Sequence, residues 1–212
     1  MKFRTKFLFS ALLCCSILLF AQCKKDKTEE IPVDELAFTE AEKALINSGD
    51  NDSIMRIMNY FVHDDSLILR KQSIDVNLND TATLNHLIKR LKKTLLNEPN
   101  GVGLAAPQVG INRNIIWVQR LDKAGQPFEC YLNPKIILYS NKPVIFPWDG
   151  CLSVPDTSGP SHRYSAVVVD YDLPDGSSHT ELIEGYSGSN FAAIIFQHEI
   201  DHLNGVVFLY RL

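Results

Sequence analysis

Close to its C-terminal end the chain reads QHEIDHLNG, with His198 and His202 four residues apart and Glu199 beside the first of them. Positions four apart project from one face of an α-helix, so a helix here lets both imidazoles reach one ion while Glu199 stands by as a proton carrier. The plainer alternative is a pair of core histidines on an apolar helix face. It would leave several ring nitrogens buried without partners, which is costly. The motif also restricts the rest of the fold. Gly205 follows three residues after His202, but Phe208 stands where a downstream histidine would, and no His, Glu, Asp or Cys lies between His202 and Leu212. A third ligand has to come from upstream, so a distant segment must fold back onto this helix. A thiolate is the strongest neutral-pH candidate, because it binds divalent ions as a charged, soft donor.

The opposite end obeys a different constraint. MKFRTKFLFSALLCCSILLFAQC sets Lys2, Arg4 and Lys6 ahead of fourteen apolar or small residues, Phe7 to Phe20, followed by Ala21, Gln22 and Cys23. That order is the grammar of a secretory signal. A helical run of this length spans only about 21 Å against a hydrocarbon core of ~30 Å, so a leader over residues 1–22, removed on export, fits better than a permanent span. Cys23 stands where bacterial lipoproteins carry their lipidated cysteine, although Phe20 and Gln22 depart from the usual pattern around it. The competing reading is an ordinary signal peptide cut nearby. On the lipoprotein reading the mature chain sits in the bacterial cell envelope, touches membrane through its lipid alone, and uses residues 23–38, which include KKDKTEEIPVDE, as a solvated tether.

Loss of the leader removes three basic and no acidic residues, leaving 18 Lys and Arg against 25 Asp and Glu, a formal charge of −7. Such a body disfavours nucleic acid as a partner. Once Cys14 and Cys15 leave with the leader and Cys23 is the anchor, only Cys130 and Cys151 remain, too few for a disulfide framework. A single bridge between them is the alternative to a free thiolate. At 212 residues and 45% hydrophobic composition, the chain can bury one substantial core.

Periodicity sketches that core. Thr39 and Glu42 form a capping-box pattern, the SGDND cluster interrupts it, and Ile54, Ile57, Met58 and Phe61 recur at helical spacing, predicting two added helices over residues 39–62. In TLNHLIKRLKKTLLN the residues Leu84, Leu87, Ile88, Leu91 and Leu95 make an apolar stripe, with Lys, Arg and His86 on the opposite, exposed side. NIIWVQ, FECYL and KIILY read as strands, and SAVVVDY and SSHTELIEG as a hairpin turned by Asp175 and Gly176. His162 and His179 fall in loops or on strand surfaces. Ser189 or Asn190 can cap the HExxH helix and Gly205 can close it. Helices and strands do not alternate regularly, so the class is α+β.

Two further segments point to the upstream ligand. WDGCLSVP places Cys151 behind Gly150, read as a loop open to an ion, and GVGLAAPQVG supplies small residues and one amide, Gln108. Singly each is weak, since Gly101 and Gly103 can be turn residues and Cys151 a small core residue. With QHEIDH they closely resemble the GxGLAAxQ, EGCLS and QHExDH segments of peptide deformylases, in that order, and the resemblance runs from about residue 64 to residue 212.

The resemblance implies short antiparallel sheets around a central helix that carries HExxH, in a catalytic domain over residues 63–212. It implies one divalent ion, Fe²⁺ or Zn²⁺, on Cys151, His198 and His202, with Glu199 as general acid and base. Gln108 and the Leu152 N–H would form the oxyanion site. Val102 and Gly103 would flank the peptide as a strand edge, and Phe191, Ile194 and Ile195 would line the pocket for its methionine. The implied substrate is an N-formylated peptide, which would yield formate and a free amine. Several positions depart from the family pattern: Asp149 replaces a glutamate expected to meet Arg163, Ser158 an arginine that grips the peptide, and Asn190 a common glycine. A family C-terminal helix is also missing from the sequence. These departures leave two further readings open, an inactive envelope protein that binds formylated or acylated peptides and a hydrolase of another small acyl amide.

Overall fold

The computed structural model describes residues 36–212; the leader, Cys23 and the tether up to residue 35 lie outside the described residues. No described helix is long and apolar enough to cross a membrane. Helices α1 (Glu40–Ile46), α2 (His63–Leu69) and α3 (Thr81–Leu96) come first. They are followed by β1 (Gly103–Ala105), β2 (Ile115–Gln119), β3 (Phe128–Tyr139), β4 (Pro143–Cys151), β5 (Val154–Tyr164), β6 (Ala166–Asp172) and β7 (Ser178–Glu184). Helix α4 (Ala192–Leu203) and a short 3₁₀ turn at Phe208–Arg211 end the chain.

The seven strands pair antiparallel, in a five-stranded sheet of order β1-β2-β3-β6-β7 and a separate β4–β5 hairpin. The class is α+β, as the sequence implied. Strand β2 explains the layering. Ile115 and Trp117 join the cluster around the α3 residues Leu84, Leu87 and Leu91, while Ile116 and Val118 join the cluster around Phe196 and Ile200 of α4. Side chains alternate across a strand, so a sheet covered on both faces has no polar side left, hence the unbroken IIWV run. Every residue of α4 is buried, which makes it the central element. The β6–β7 turn falls at Asp175–Gly176, with Gly176 at φ +86°.

The N-terminal extension differs from expectation. Thr39 and Glu42 do form a reciprocal capping box on α1, but residues 53–59 take no regular secondary structure and the second helix starts only at His63. Tertiary partners take the backbone groups that a helix would have used. The Met55 N–H donates to Thr94 Oγ1 at 2.8 Å and the Met58 N–H to the Gln108 carbonyl at 2.7 Å, while Ile54 and Phe61 stay exposed. Arg90, expected on the solvent face of α3, is 3% exposed and donates to the carbonyls of Leu45, Ile46, Ser53 and Ile54. His86, also placed at the surface, is half-buried with Nδ1 3.1 Å from Asn47 Oδ1. WDGC is likewise strand and not loop, since Cys151 ends β4.

Arg113 fastens the extension to the body. It is 1% exposed, donates to both Glu42 oxygens at 2.8 and 2.7 Å, and reaches the carbonyls of Leu36 and Ala37. The sequence places those two residues in the tether, yet they are already held, and Phe38 is buried. Burial opposes ionisation of Glu42, but Arg113 and Thr39 outweigh it and keep the carboxyl below its ordinary 4.5. A depressed carboxyl stabilises fully above its unfolded value, so this contribution is lost as acid takes the pH below about 4.5 and through the lowered value. Arg113→Ala strands a largely buried carboxylate and two carbonyls. It should cost ~3 kcal/mol in urea unfolding, the low end for breaking a buried pair, and make residues 36–53 the first site of limited proteolysis.

Candidate metal centre

Three segments that are distant in sequence meet at α4. The helix projects His198 and His202 from one face, with ring centroids 5.0 Å apart. Strand β4 delivers Cys151, whose Sγ lies 3.1 Å from His202 Nε2. One donor atom from each of Cys151, His198 and His202 falls within 4.8 Å of the other two. Cys130, the other described cysteine, is free and buried, and burial pushes its thiol well above the usual range. Among the described residues no bridge competes for Cys151.

The donors fit a divalent ion. Burial, reinforced by the charges of His198 and Arg163, holds His202 well below the ordinary imidazole value, which leaves the neutral form that offers a lone pair. His202 Nε2 is the nitrogen that faces the Cys151 sulfur, while Nδ1 is buried on the other side of the ring. On His198 the roles of the two nitrogens are separated, because Nδ1 contacts Asp149 Oδ1 at 2.8 Å and Nε2 is left for the centre.

Asp149 is one methylene shorter than the expected glutamate and still makes its contacts directly. Its Oδ2 accepts from Arg163 Nη2 at 2.8 Å; Arg163 in turn pairs with Asp201, and Asp201 with Arg211. Burial works against ionisation of Asp149, but His198 and Arg163 hold its carboxyl well below the usual carboxylate range. The β4–β5 hairpin supplies the shorter side chain at the right depth, so no bridging water is needed.

Glu199 is 4% exposed, and burial pushes its carboxyl up to about 7, against opposing pulls from His198 and Arg163. Its Oε2 has no hydrogen-bond partner. Its neighbour is Gly103: a Cβ there would collide with Glu199 Oε1, so only glycine lets the carboxylate stand where it does. Gly103→Ala should displace that carboxylate and lower kcat by ~10²-fold, with the unfolding midpoint little changed, since misplacement by about an ångström costs that much.

The 3₁₀ turn Ala106–Val109 carries Gln108, fixed at both ends of its amide. Oε1 accepts from the Ala105 N–H at 2.8 Å, which turns Nε2 toward Ser153 Oγ at 3.3 Å and Cys151 Sγ at 3.6 Å. Leu152 lies in the turn between β4 and β5. Val102 precedes β1, and Gly103 opens it; this strand is an edge of the five-stranded sheet, so its outer side is open to another extended chain. A cleft of about 890 Å³ leads to the centre, and Val102, Gly103, Leu152, Phe191, Ile194 and Ile195 all line it.

Phe146, Pro147 and Trp148 also line the cleft, and Phe146 lies against Phe191 with ring centroids 5.3 Å apart. The continuous apolar run PVIFPW before Asp149 was the available signal for an apolar wall, though not for which of its side chains face the cleft. Ser158 lines the cleft, whereas Asn190 does not. Phe191, not Ser189 or Asn190, is the N-cap of α4; Asn190 Oδ1 accepts from the Ala192 N–H at 3.2 Å and lies over Gly185. His162 and His179 are exposed strand residues, remote from this centre in role.

Residues 57–212 match the family model described as polypeptide deformylase, starting several residues before the stretch where the resemblance was placed. Among curated proteins, "Peptide deformylase 2" of Vibrio cholerae is 43% identical over 141 residues, covering 66% of this chain and 78% of its own. The peptide deformylase of Leptospira biflexa is 36% identical over 154 residues, covering 68% and 82%. Among solved structures, the class I type b peptide deformylase of Acinetobacter baumannii bound to Met-ala-ser superposes with a TM-score of 0.65 at 30% identity, covering 76% of this chain and 99% of that one. The peptide deformylase of Thermotoga maritima gives 0.63 at 33% identity, with 76% and 98% covered.

Proposed function

From the membership of this chain in the peptide deformylase family, we propose that it is a hydrolase removing the formyl group from N-terminal formyl-methionine, using one divalent ion on Cys151, His198 and His202. The observation that carries the proposal is the convergence of one sulfur and two imidazoles from separate segments beside a buried, unpartnered carboxylate. Fe²⁺ and Zn²⁺ both suit a Cys/His₂ donor set, and Zn²⁺ withstands oxidation better in an exported protein.

A divalent ion at this centre supplies Lewis acidity, which polarises the formyl carbonyl and lowers the pKa of a water. The chain's own residues do the rest. Glu199 accepts the proton of the attacking water and hands it to the departing amine, a role suited to a carboxyl that burial has moved toward neutral pH. The water oxygen adds to the formyl carbon, the C–N bond breaks, and formate and a free amino terminus leave. Gln108 Nε2, pre-aimed by its bond to Ala105, and the Leu152 N–H serve the carbonyl oxygen as it gains charge. The peptide lies along the open side of β1 at Val102 and Gly103, with its methionine against Phe191, Ile194 and Ile195. The Acinetobacter relative with Met-ala-ser bound supports that substrate class.

The leader and Cys23 further support an exported enzyme anchored by lipid in the cell envelope, acting on formylated peptides that reach it. Intact mass of the mature chain should show acyl increments on Cys23, and an unacylated mass would overturn that part. For the activity, the metal-loaded protein is assayed on formyl-Met and acetyl-Met peptides side by side. Formate release without acetate release is expected. Tight binding of either peptide without turnover would instead indicate a binding protein.

A further inference from the structure

The cleft has an apolar wall that the reaction above does not use. Strand β4 loses its regular register between Phe146, paired with Ser161, and Asp149, paired with Gly159. Two residues, Pro147 and Trp148, therefore face one on β5, the arrangement of a β-bulge, which re-aims side chains. As a result Phe146, Pro147 and Trp148 all line the cleft, while the next residue, Asp149, still turns inward to His198. The apolar surface is continuous: Phe191 meets Phe146, and Trp148 carries the wall to the mouth with 79% of its surface exposed.

Charge is distributed the other way. Among the described residues lining the cleft there is no Lys or Arg, and its two carboxyl groups, Asp149 and Glu199, are buried. At the mouth stand Asn100, Ser158, Ser187 and Gly188, all exposed and uncharged. Among the described residues lining the cleft, a peptide leaving the centre finds no Lys or Arg to hold its carbonyls or its terminal carboxylate. An exposed indole is the largest contact surface it meets.

We infer that Trp148 is a specificity-determining residue, its indole forming an outer subsite for an apolar or aromatic side chain one or two residues after the formyl-methionine. The inference rests on the deformylase reading and adds to it a preference for sequence beyond the methionine. It also makes the terminal carboxylate unnecessary, so amidated and free-acid peptides of equal length are used equally well.

The test uses the metal-loaded protein and C-terminally amidated formyl-Met tripeptides carrying Phe, Leu, Ala or Asp at the second or third position. Wild type should show kcat/KM about 10-fold higher for Phe and Leu than for Ala at the favoured position, the scale expected for partial burial of such a side chain. Trp148→Ala should erase the difference through KM and not kcat, and Trp148→Phe should restore most of it. Trp117, the other tryptophan, is buried, so peptide titration should shift the emission of wild type and leave that of Trp148→Ala unmoved. Equal kcat/KM for all four peptides, or discrimination that survives in Trp148→Ala, would overturn the subsite while leaving the deformylase reading intact. Failure of wild type to hydrolyse even the Ala peptide would overturn both.

Discussion

Glutamine in place of Glu199 is expected to lower kcat for formyl removal by about 10²–10⁴-fold with bound metal and KM nearly unchanged, as for loss of a general acid–base group. The two side chains have almost the same size, so the close approach to Gly103 that leaves no room for a Cβ is preserved. The amide cannot take a proton from water or return one to the amine. Residual activity would come from the metal and the oxyanion donors. Because burial brings the wild-type carboxyl to about 7, the ionised base is lost as the pH falls through that region, and the acidic limb of the wild-type pH–rate profile should vanish in the glutamine variant. Rate constants and metal content, measured on one preparation across pH, check all of this. A variant that retains wild-type kcat would assign the proton transfer elsewhere.

Cys151→Ala is expected to abolish activity by a different route, through loss of the metal. A thiolate is the only charged donor of the three, and two imidazoles alone make a far weaker and less selective site. The fold should survive, because Cys151 is half-buried at the end of a two-stranded hairpin and its side chain is small. The thermal midpoint of the metal-free variant should therefore match that of metal-free wild type, whereas added Zn²⁺ should raise the midpoint of wild type only. Equal stabilisation of both proteins by Zn²⁺ would mean that the ion binds elsewhere.

The parts legible from sequence were those set by local chemistry. The HExxH helix, the Leu84–Leu95 stripe, the Asp175–Gly176 turn and the Thr39–Glu42 capping box are all specified within a few residues, and each forms as read. What escaped depends on partners supplied from afar. The Ile54–Phe61 periodicity suggested a helix, but Thr94 and Gln108 satisfy that backbone from about forty and fifty residues away, and no helix forms over residues 53–59. Arg90 and Arg113 carry the charge of surface residues and are buried because carbonyls of the extension converge on their guanidinium groups. Strand β5 was obscured by its own composition, PDTSGPSH, which resembles a loop; prolines and a glycine are tolerated there because β5 pairs on one side only, with β4. In the site itself, HExxH spacing pointed to His198 and His202 and the family resemblance to Cys151, whereas the aromatic wall at Phe146 and Trp148 required the register shift in β4, which no spacing rule reveals.

Cobalt(II) titration of the metal-free protein tests the convergence of Cys151, His198 and His202 most directly. One equivalent should bind and produce a sulfur-to-cobalt charge-transfer band in the near ultraviolet, absent from Cys151→Ala and weakened by His202→Ala. If cobalt binds wild type without that band, or if the band survives in Cys151→Ala, the sulfur is not a ligand and the proposed centre is wrong.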